Sequence, residues 1–306
     1  MLAAMPSALC FLALASLVAS SPVPDAALLG ARQATDAPTV RALDVNWTRD
    51  GLITGVSGAL WITSEAFLKN QLAPNTCRWC DRSPDGQDTL NGVDRWGRGM
   101  AGKTEAGRKT WDTWSNVAGF GVLPVGVLGA QYLLASGSGA SARYYAEDAL
   151  TIVETAAVAA LANQVVKFAV GRERPFVHVL PEEQKGLGHN PNDNNLSFYS
   201  GHTSLAFSLV AAAGTVSGMR GYRNNWLIWA VGVPAAASVG LMRMGADKHY
   251  LTDVLVGAAA GTAFGVGVPL LLHGRAASGS GGSAQPSSVS MRMSGNPGGV
   301  MLSGQF

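Results

Sequence analysis

Six apolar segments of helical length constrain the fold of this chain more than any other feature. They lie at about 47–70, 113–136, 146–167, 203–219, 225–243 and 250–273. None of them shows the sustained alternation of apolar and polar residues that a half-buried strand requires. The pattern predicts an all-α helical bundle of about six core helices, with no β-sheet.

The same segments fit two environments, a lipid bilayer or the interior of a soluble domain, and their lengths do not decide between them. The 306 residues are 47% hydrophobic and only 14% charged, whereas an ordinary soluble domain carries about 25% charged residues. This composition favours a membrane-embedded bundle. Glu154 lies inside the third segment and favours the soluble alternative, which leaves it at the surface, because a carboxylate inside a membrane is costly.

Charges beside the segments predict a topology. The connection Arg220–Arg223 and the start of the tail at Arg275 are positive and carry no acids, which favours the cytoplasmic side for both. Residues 1–21 have the short apolar core of a secretory signal peptide, whose cleavage leaves the mature N-terminus outside. These two features agree only for an odd number of spans. We therefore expect five spans, without the weakly apolar 47–70 segment.

The remaining sequence divides into simple regions. Residues 22–45 are expected to be a linker, 46–273 the helical domain, and 274–306 a flexible tail rich in glycine and serine. Residues 71–112 are polar and predict an ordered loop with one short helix. In an exported protein, Cys77 and Cys80 are candidates for a disulfide. The net charge of +2 gives no reason to expect a nucleic-acid partner.

Three short segments concentrate the reactive residue types, and each lies at the end of an apolar helix. They run from Lys167 to Pro175, from Ser197 to Ser204, and from Arg243 to Asp253. Lys167, Arg174 and Arg243 supply three cations, which suit the oxygens of a phosphate group. Because helix ends can converge, the three segments predict one shared oxyanion pocket.

The other members of these segments complete the pocket. Ser200 adds a hydroxyl donor, and the backbone N–H of Gly201 opens a helix, where anions bind. His249 and Asp253 are spaced i, i+4, so the carboxylate is placed to orient the imidazole. His202 remains as a second imidazole, free to act as general acid. Together these residues predict phosphoryl transfer through a histidine.

Each of these residues also has a purely structural interpretation when it is taken alone. Lys167 fits a lysine whose amine reaches the surface along an apolar helix, Arg243 a charge at a helix end, and Asp253 an exposed helical acid. A single residue is a weak signal. The coincidence of three segments favours the catalytic interpretation.

The three segments resemble the motifs of the type 2 phosphatidic acid phosphatase (PAP2) superfamily, which includes bacterial non-specific acid phosphatases and vanadium haloperoxidases. The family pattern is K-x6-R-P, then P-S-G-H, then S-R-x5-H-x3-D. Residues 167–175 match the first motif in full. The second and third match except for Tyr199 in place of proline and Met242 in place of serine. The resemblance covers about residues 146–273.

The resemblance implies an all-α core and a phosphatase that acts on phosphomonoesters, lipid phosphates or diphosphates. In that scheme His249 attacks phosphorus, Asp253 orients it, and His202 protonates the leaving oxygen. The implied phosphate-binding residues are Lys167, Arg174, Ser200, Gly201 and Arg243. No metal or other cofactor is implied. The implied location is a membrane with the active site on the extracytoplasmic side, or the periplasm for a soluble enzyme.

Two other functions remain open. A vanadium-dependent haloperoxidase would hold vanadate in the same pocket through His249, although such enzymes are considerably larger as a family. A non-catalytic envelope protein would bind phosphate or phospholipid headgroups. The second alternative leaves His202, His249 and Asp253 without a purpose, because binding alone requires no proton transfer.

Overall fold

The computed structural model describes residues 40–185, 191–274, 291–296 and 299–304. The expected signal peptide at 1–21 and most of the expected linker at 22–45 lie outside the described residues, as does part of the tail expected to be flexible. The described chain is predominantly α-helical, as the apolar segments predict.

The helices are bounded as follows: α1 Trp47–Ala66, α2 Lys69–Leu72, α3 Gly92–Arg98, α4 Glu105–Val117, α5 Leu123–Gly137, α6 Ala142–Val170, α7 Pro175–His178, α8 Gly201–Arg220, α9 Trp226–Gly245 and α10 Leu251–Leu272. A five-residue π-helical turn, Ala118–Val122, joins α4 to α5 without a break. Two 3₁₀ turns cover Glu182–Gln184 and Pro191–Asp193.

Local sequence explains where several of these helices begin and end. Asn46, Thr104 and Ser141 each precede a helix and accept hydrogen bonds from its first free N–H groups, which is the preferred role of such residues at an N-cap. Gly171 and Gly221 end α6 and α8 with φ angles of 60° and 75°. Glycine adopts this left-handed conformation without steric cost.

Six long helical rods cross the described bundle in alternating directions: α1, the continuous α4–α5 rod, α6, α8, α9 and α10. One end, called here the site end, holds the C-terminus of α1, where Glu65 accepts from Gln164 near the end of α6. The other, called here the far end, holds the first described residues and the end of α10. There Arg41 N donates to Arg220 O, and Asp44 N donates to Gly274 O.

This arrangement corrects the predicted topology. The 47–70 segment was expected not to cross, yet α1 runs from the far end to the site end as a full 20-residue rod. An even number of crossings returns the chain to the end where it entered. The five-span arrangement, with the two termini of the bundle on opposite sides, is therefore wrong for the described residues.

Polar groups on the long helices point into the bundle. Glu154 is fully buried and lies 2.7 Å from His273 Nε2, so the expectation that it lies at the surface is wrong. Asp148 is also fully buried, where it accepts from Arg220 Nε at 2.7 Å. Large apolar side chains point outward instead, including Val125 with 73% of its surface exposed. Buried, paired charges and an apolar exterior are what a membrane requires.

Four helical stretches in the described residues are long and apolar enough to cross a membrane: 105–137, 142–170, 226–245 and 251–272. The segment at 203–219 was expected to be a span, but α8, like α1, is not apolar enough to be counted among these four, although both helices run from one end of the bundle to the other. The polar side chains Thr203, Ser204 and Ser208 of α8 are buried, because α8 is the central helix and packs against α6, α9 and α10. The membrane-compatible all-α fold thus surrounds a more polar central helix.

Glycine brings α8 and α10 close together. Gly257, Gly261 and Gly265 recur every four residues on α10, and a Cβ added at any of them would lie within 2.8 Å of an atom of α8 or of its N-cap. The backbones therefore approach more closely than any other side chain would permit, as small residues allow between membrane helices. This contact fixes the start of α10 against the start of α8.

Two further predictions need correction. The tail contains an antiparallel hairpin, Met291–Asn296 paired with Gly299–Gly304, where no sheet was expected. The 71–112 region contains the first turns of α4 in addition to the one short helix expected there, α3. Both departures are local, because neither element belongs to the long apolar rods on which the fold prediction depended.

Candidate active site

The three reactive segments meet at the site end of the bundle. Lys167 lies in the last turn of α6, His202 in the first turn of α8, and Arg243 in the last turn of α9. His249 and Asp253 flank the start of α10. Because the rods alternate in direction, the C-termini of α6 and α9 and the N-termini of α8 and α10 meet at this end. The structure thus brings together residues from distant parts of the chain.

His249 is buried, and its hydrogen bonding defines which nitrogen is free. Nδ1 lies 2.8 Å from the backbone oxygen of Ser197. A carbonyl only accepts, so this contact requires a proton on Nδ1. Nε2 of the neutral ring then keeps its lone pair. The ring is held in the tautomer that a nucleophilic histidine requires.

Burial and the neighbouring positive charges of Arg174, Arg243 and Lys167 hold the pKa of His249 well below its usual range. Burial is the largest cause, because it disfavours the charged imidazolium. The imidazole is therefore neutral at neutral pH. All three cations lie close enough to His249 to disfavour its charged form.

Asp253 has a different set of contacts from the one expected. Its carboxylate lies 3.7 Å from His249 Nδ1, which is too far for a hydrogen bond. It accepts instead from the Ser197 hydroxyl, from Tyr250 N and from Arg172. Asp253 thus holds the segment whose Ser197 carbonyl holds His249, so any orienting effect on the imidazole is indirect.

The three predicted phosphate-binding cations have distinct partners. Arg243 pairs with Asp112 and donates to Ser115 Oγ at 3.0 Å, both from α4. Arg174 donates to Asp193 Oδ1 at 2.9 Å. Lys167 Nζ would lie 3.3 Å from a Cβ added at Gly201. Any residue larger than glycine at position 201 would therefore crowd the lysine amine.

The N-terminus of α8 faces the same space. Ser200 is its N-cap, and no side chain in the described structure caps the free N–H groups of its first turn. Ser200 Oγ accepts from Thr203 Oγ1 at 2.9 Å and keeps its own proton to donate. Uncapped amides and a positive dipole end form an anion-binding surface. Tyr199, which replaces the usual proline, is buried, and its carbonyl accepts from Asn163 at 2.8 Å.

His202 contacts the rod formed by α4 and α5. Its Nε2 lies 2.7 Å from Asn116 Oδ1. The ring of Phe120 packs edge-on against it, with centroids 4.6 Å apart. These contacts come from a part of the chain outside the three motifs.

Arg172 is a functional neighbour that the sequence analysis missed. It is fully buried and pairs with three carboxylates at 2.7–2.9 Å: Asp81, Asp94 and Asp253. Asp94 also accepts from Thr252 N and Thr252 Oγ1, which caps the start of α10. Two features of the sequence could have indicated this role. An arginine lies inside the first motif, and the otherwise unassigned 71–112 region contains Asp81 and Asp94.

Cys77 and Cys80 form a disulfide in the structure, in a loop that contacts the first motif. Arg78 N donates to Gly171 O at 2.9 Å, and Glu173 N donates to Trp79 O at 3.0 Å. The ring of Trp79 covers the Arg172 guanidinium at 4.1 Å. The loop therefore supports Arg172, and through it Asp253.

One group in the described residues has the composition of a metal site: Asp50, Glu154 and His273. It lies at the far end, away from the reactive segments. His273 Nε2 contacts Glu154 at 2.7 Å and Nδ1 contacts Asp44 O at 3.1 Å. Because oxygen atoms face both ring nitrogens, these contacts fit a hydrogen-bonded imidazolium that joins α1, α6 and α10.

Comparison with known proteins supports the motif analysis. A family model described as the PAP2 superfamily matches residues 148–276, which covers all three motifs from Lys167 to Asp253. No curated protein matches the chain significantly. The match coincides with the helices α6, α8, α9 and α10 that build the site. The match over residues 148–276 supports membership of the PAP2 superfamily.

Proposed function

We propose that this protein is a phosphatase that hydrolyses phosphomonoesters, lipid phosphates or lipid diphosphates through a phosphohistidine. Membership of the PAP2 superfamily supports a phosphatase-type function in general. The observation that carries the specific proposal is the state of His249. It is neutral, its Nδ1–H is bonded to a carbonyl, its Nε2 keeps a free lone pair, and the positive charges of Arg174, Arg243 and Lys167 contribute to its lowered pKa.

The reaction would proceed in two displacements. The lone pair of His249 Nε2 attacks phosphorus, and the P–O bond to the leaving group breaks. Water then attacks the phosphohistidine, and the P–N bond breaks to release phosphate. Arg174, Arg243 and Lys167 neutralise the charge on the phosphoryl oxygens, with the α8 amides and Ser200 as further donors. Preorganised charges of this kind are the largest catalytic contribution in many enzymes.

His202 is proposed to protonate the leaving oxygen in the first step and to accept a proton from water in the second. Asp253 is proposed to act as a positioning residue through Ser197 and Arg172. The scheme assigns no step to a metal ion. Accordingly, dialysis against a chelator should leave the rate of phosphate release unchanged.

We propose further that the site faces the extracytoplasmic side of a membrane. The far end carries an excess of basic over acidic side chains among its unburied residues, including Arg41, Arg143 and Arg223, and such an excess marks the cytoplasmic side. The apolar surface of the bundle supports a lipid phosphate as substrate. Because residues 41 and 44 lie at the far end, the proposed orientation places them in the cytoplasm and requires that residues 1–21 are not cleaved as a secretory signal peptide.

The test is phosphate release by detergent-purified protein from an aryl phosphate, phosphatidate and an isoprenyl diphosphate. His249→Ala should lower kcat by about 1,000-fold or more, as loss of a nucleophile does. Thr113→Ala, which alters an exposed hydroxyl bonded only within α4, is the matched control. Quenching with alkali, which preserves phosphohistidine, should trap labelled phosphate on the wild type alone.

Two results would contradict the proposal. One is equal phosphate release by wild type and His249→Ala. The other is no release from any of the three substrates. In the second case, bromide oxidation by peroxide after vanadate loading tests the haloperoxidase alternative.

A further inference from the structure

One edge of the His202 ring contacts one short stretch of the α4–α5 rod. Asn116 Oδ1 lies 2.7 Å from Nε2. A Cβ added at Gly119 would lie 3.3 Å from Cδ2, the carbon bonded to Nε2. Phe120 packs against the ring at 4.6 Å between centroids. Residues 116–120 thus contact the Nε2–Cδ2 edge of the imidazole and its face.

The backbone of this stretch departs from the regular α-helix at the point of contact. The π-helical turn begins at Ala118, directly after α4, and ends at Val122. Single π-turns within α-helices are rare and occur frequently at functional sites. Here the wider turn presents Gly119 and Phe120 to the same ring that Asn116 contacts from the preceding turn.

The chemistry of the amide defines the proton positions on His202. An amide oxygen has lone pairs and no proton, so it can only accept. The contact with Asn116 Oδ1 therefore requires a proton on Nε2. Nδ1, on the opposite edge of the ring, is then the nitrogen free to exchange a proton with a substrate.

We propose that Asn116 is a positioning residue that fixes the tautomer and orientation of His202, so that Nδ1 performs both proton transfers. The inference rests on the proposed phosphatase function. In the first displacement, the Nδ1–H bond breaks and an O–H bond forms on the leaving group as its bond to phosphorus breaks. In the second, Nδ1 accepts a proton from the water whose oxygen attacks phosphorus. Nε2–H stays bonded to Asn116 throughout.

The same stretch of chain also supports a phosphate-binding residue. Asp112 and Ser115, just before Asn116 on α4, both bind Arg243. One helix outside the three motifs therefore positions a proton-transfer group and a cation together. We infer that α4 completes the active site.

The kinetic test uses two substrates that differ in their need for a general acid. An aryl phosphate with an acidic leaving group departs without protonation, whereas an alkyl phosphate requires it. We expect Asn116→Ala to lower kcat about 10-fold for the alkyl phosphate, with a much smaller effect for the aryl phosphate. KM should change little, because Asn116 does not contact the phosphate-binding cations. Thr113→Ala on the same helix should match wild type for both substrates.

Asn116→Asp keeps the size of the side chain and adds a negative charge beside Nε2. An opposite charge at this distance raises the pKa of a histidine. The alkaline limb of the pH profile for the alkyl phosphate should therefore move to higher pH by about one unit or more. Asn116→Asp also serves as the second variant if Asn116→Ala fails to fold. Equal losses for both substrates, with an unmoved pH profile, would assign Asn116 a merely structural role.

A measurement that is independent of turnover separates this proposal from the phosphatase function. In protein labelled with ¹⁵N-histidine, NMR reports which ring nitrogen of His202 carries the proton, with His202→Asn used for assignment. The wild type should show the Nε2–H tautomer, and Asn116→Ala should lose that preference. An Nδ1–H tautomer in the wild type would overturn the proposal even if the protein is an active phosphatase. The expected tautomer in a protein that hydrolyses nothing would leave the positioning intact and reject the phosphatase function.

Discussion

At the scale of single residues, the site depends on how each catalytic group is held. His249 is held by a backbone carbonyl rather than by the carboxylate four residues later. Asp253 in turn is held by Arg172, which no motif letter identifies. The residues proposed to react with the substrate therefore differ from the residues that hold them in position. The motifs identify mainly the residues proposed to react.

The low pKa of His249 predicts how activity depends on pH. In the proposed mechanism the neutral imidazole is the nucleophile, so activity should fall where the ring gains a proton. Since burial and Arg174 lower this pKa, the acid limb of kcat/KM should lie below the ordinary histidine value of about 6.5. Arg174→Gln should move that limb to higher pH, whereas Lys103→Gln, at an exposed site, should not. An unmoved or lower limb in Arg174→Gln would contradict the assignment.

Substitution of Arg172 tests whether its ion pairs with three buried carboxylates stabilise the fold and hold Asp253 in place. Arg172→Met would leave three carboxylates without their shared cation, and breaking a buried ion pair typically costs about 3–5 kcal/mol of unfolding free energy. Thermal unfolding in detergent should show a large fall in Tm, and kcat should fall as Asp253 is released. Arg95→Met, at an arginine with 61% of its side chain exposed, is the control. Equal stability of the two variants would show that the cluster is not structurally important.

At the scale of elements, the approach of α10 to α8 sets the geometry of the pocket. The two N-termini supply His249 and His202, and Ser200 N donates to Asp253 O between them. The glycines that permit this approach lie further along α10, so packing in the middle of the bundle controls the chemistry at its end.

Gly261→Ala is predicted to destabilise this contact. The added Cβ would overlap the Ser204 carbonyl oxygen. This atom belongs to the backbone, so it cannot move aside as the end of a flexible side chain can. Overpacking of this kind costs about 1–3 kcal/mol. Gly267→Ala on the same helix has open space around it and should be neutral or stabilising by up to about 1 kcal/mol. Equal Tm values for the two variants, measured in detergent, would contradict the packing argument.

At the scale of the whole molecule, the number of crossings decides where the termini of the bundle lie. Six alternating rods bring residue 40 and residue 274 to the far end, as the hydrogen bond from Asp44 to Gly274 shows. The Cys77–Cys80 loop lies at the site end. The three carboxylates around Arg172 lie at that end too. In a membrane, the two ends face different compartments.

Cysteine labelling in sealed, oriented vesicles tests this arrangement in a Cys10→Ser background. Asp85→Cys, in an exposed loop at the site end, should react with an impermeant maleimide from the extracytoplasmic side. Asp44→Cys and Arg223→Cys should react only after the vesicles are opened. If Asp44→Cys and Arg223→Cys label from opposite sides, the six-crossing arrangement is wrong. If the protein leaves the vesicles with salt alone, it is not embedded.

The helical class follows from the sequence alone, because long apolar runs without a period of two favour helices over strands. The sequence also identified the three reactive segments, since the motifs depend on residue type and spacing alone. It did not identify α1 as a full rod, because Asp50 and Glu65 interrupt the apolar pattern. In the folded bundle these carboxylates also have partners on other helices, because Asp50 lies 3.6 Å from His273 Nδ1 and Glu65 accepts from Gln164.

The contacts between distant groups follow from the tertiary structure alone. The positions of Asn116 beside His202, Asp112 beside Arg243, and Arg172 among three carboxylates follow from the alternating directions of the rods. These contacts join residues 78 to 131 positions apart, and no local pattern encodes such a separation. Spacing along one helix determines which residues share a face, whereas contacts between helices depend on how whole rods pack.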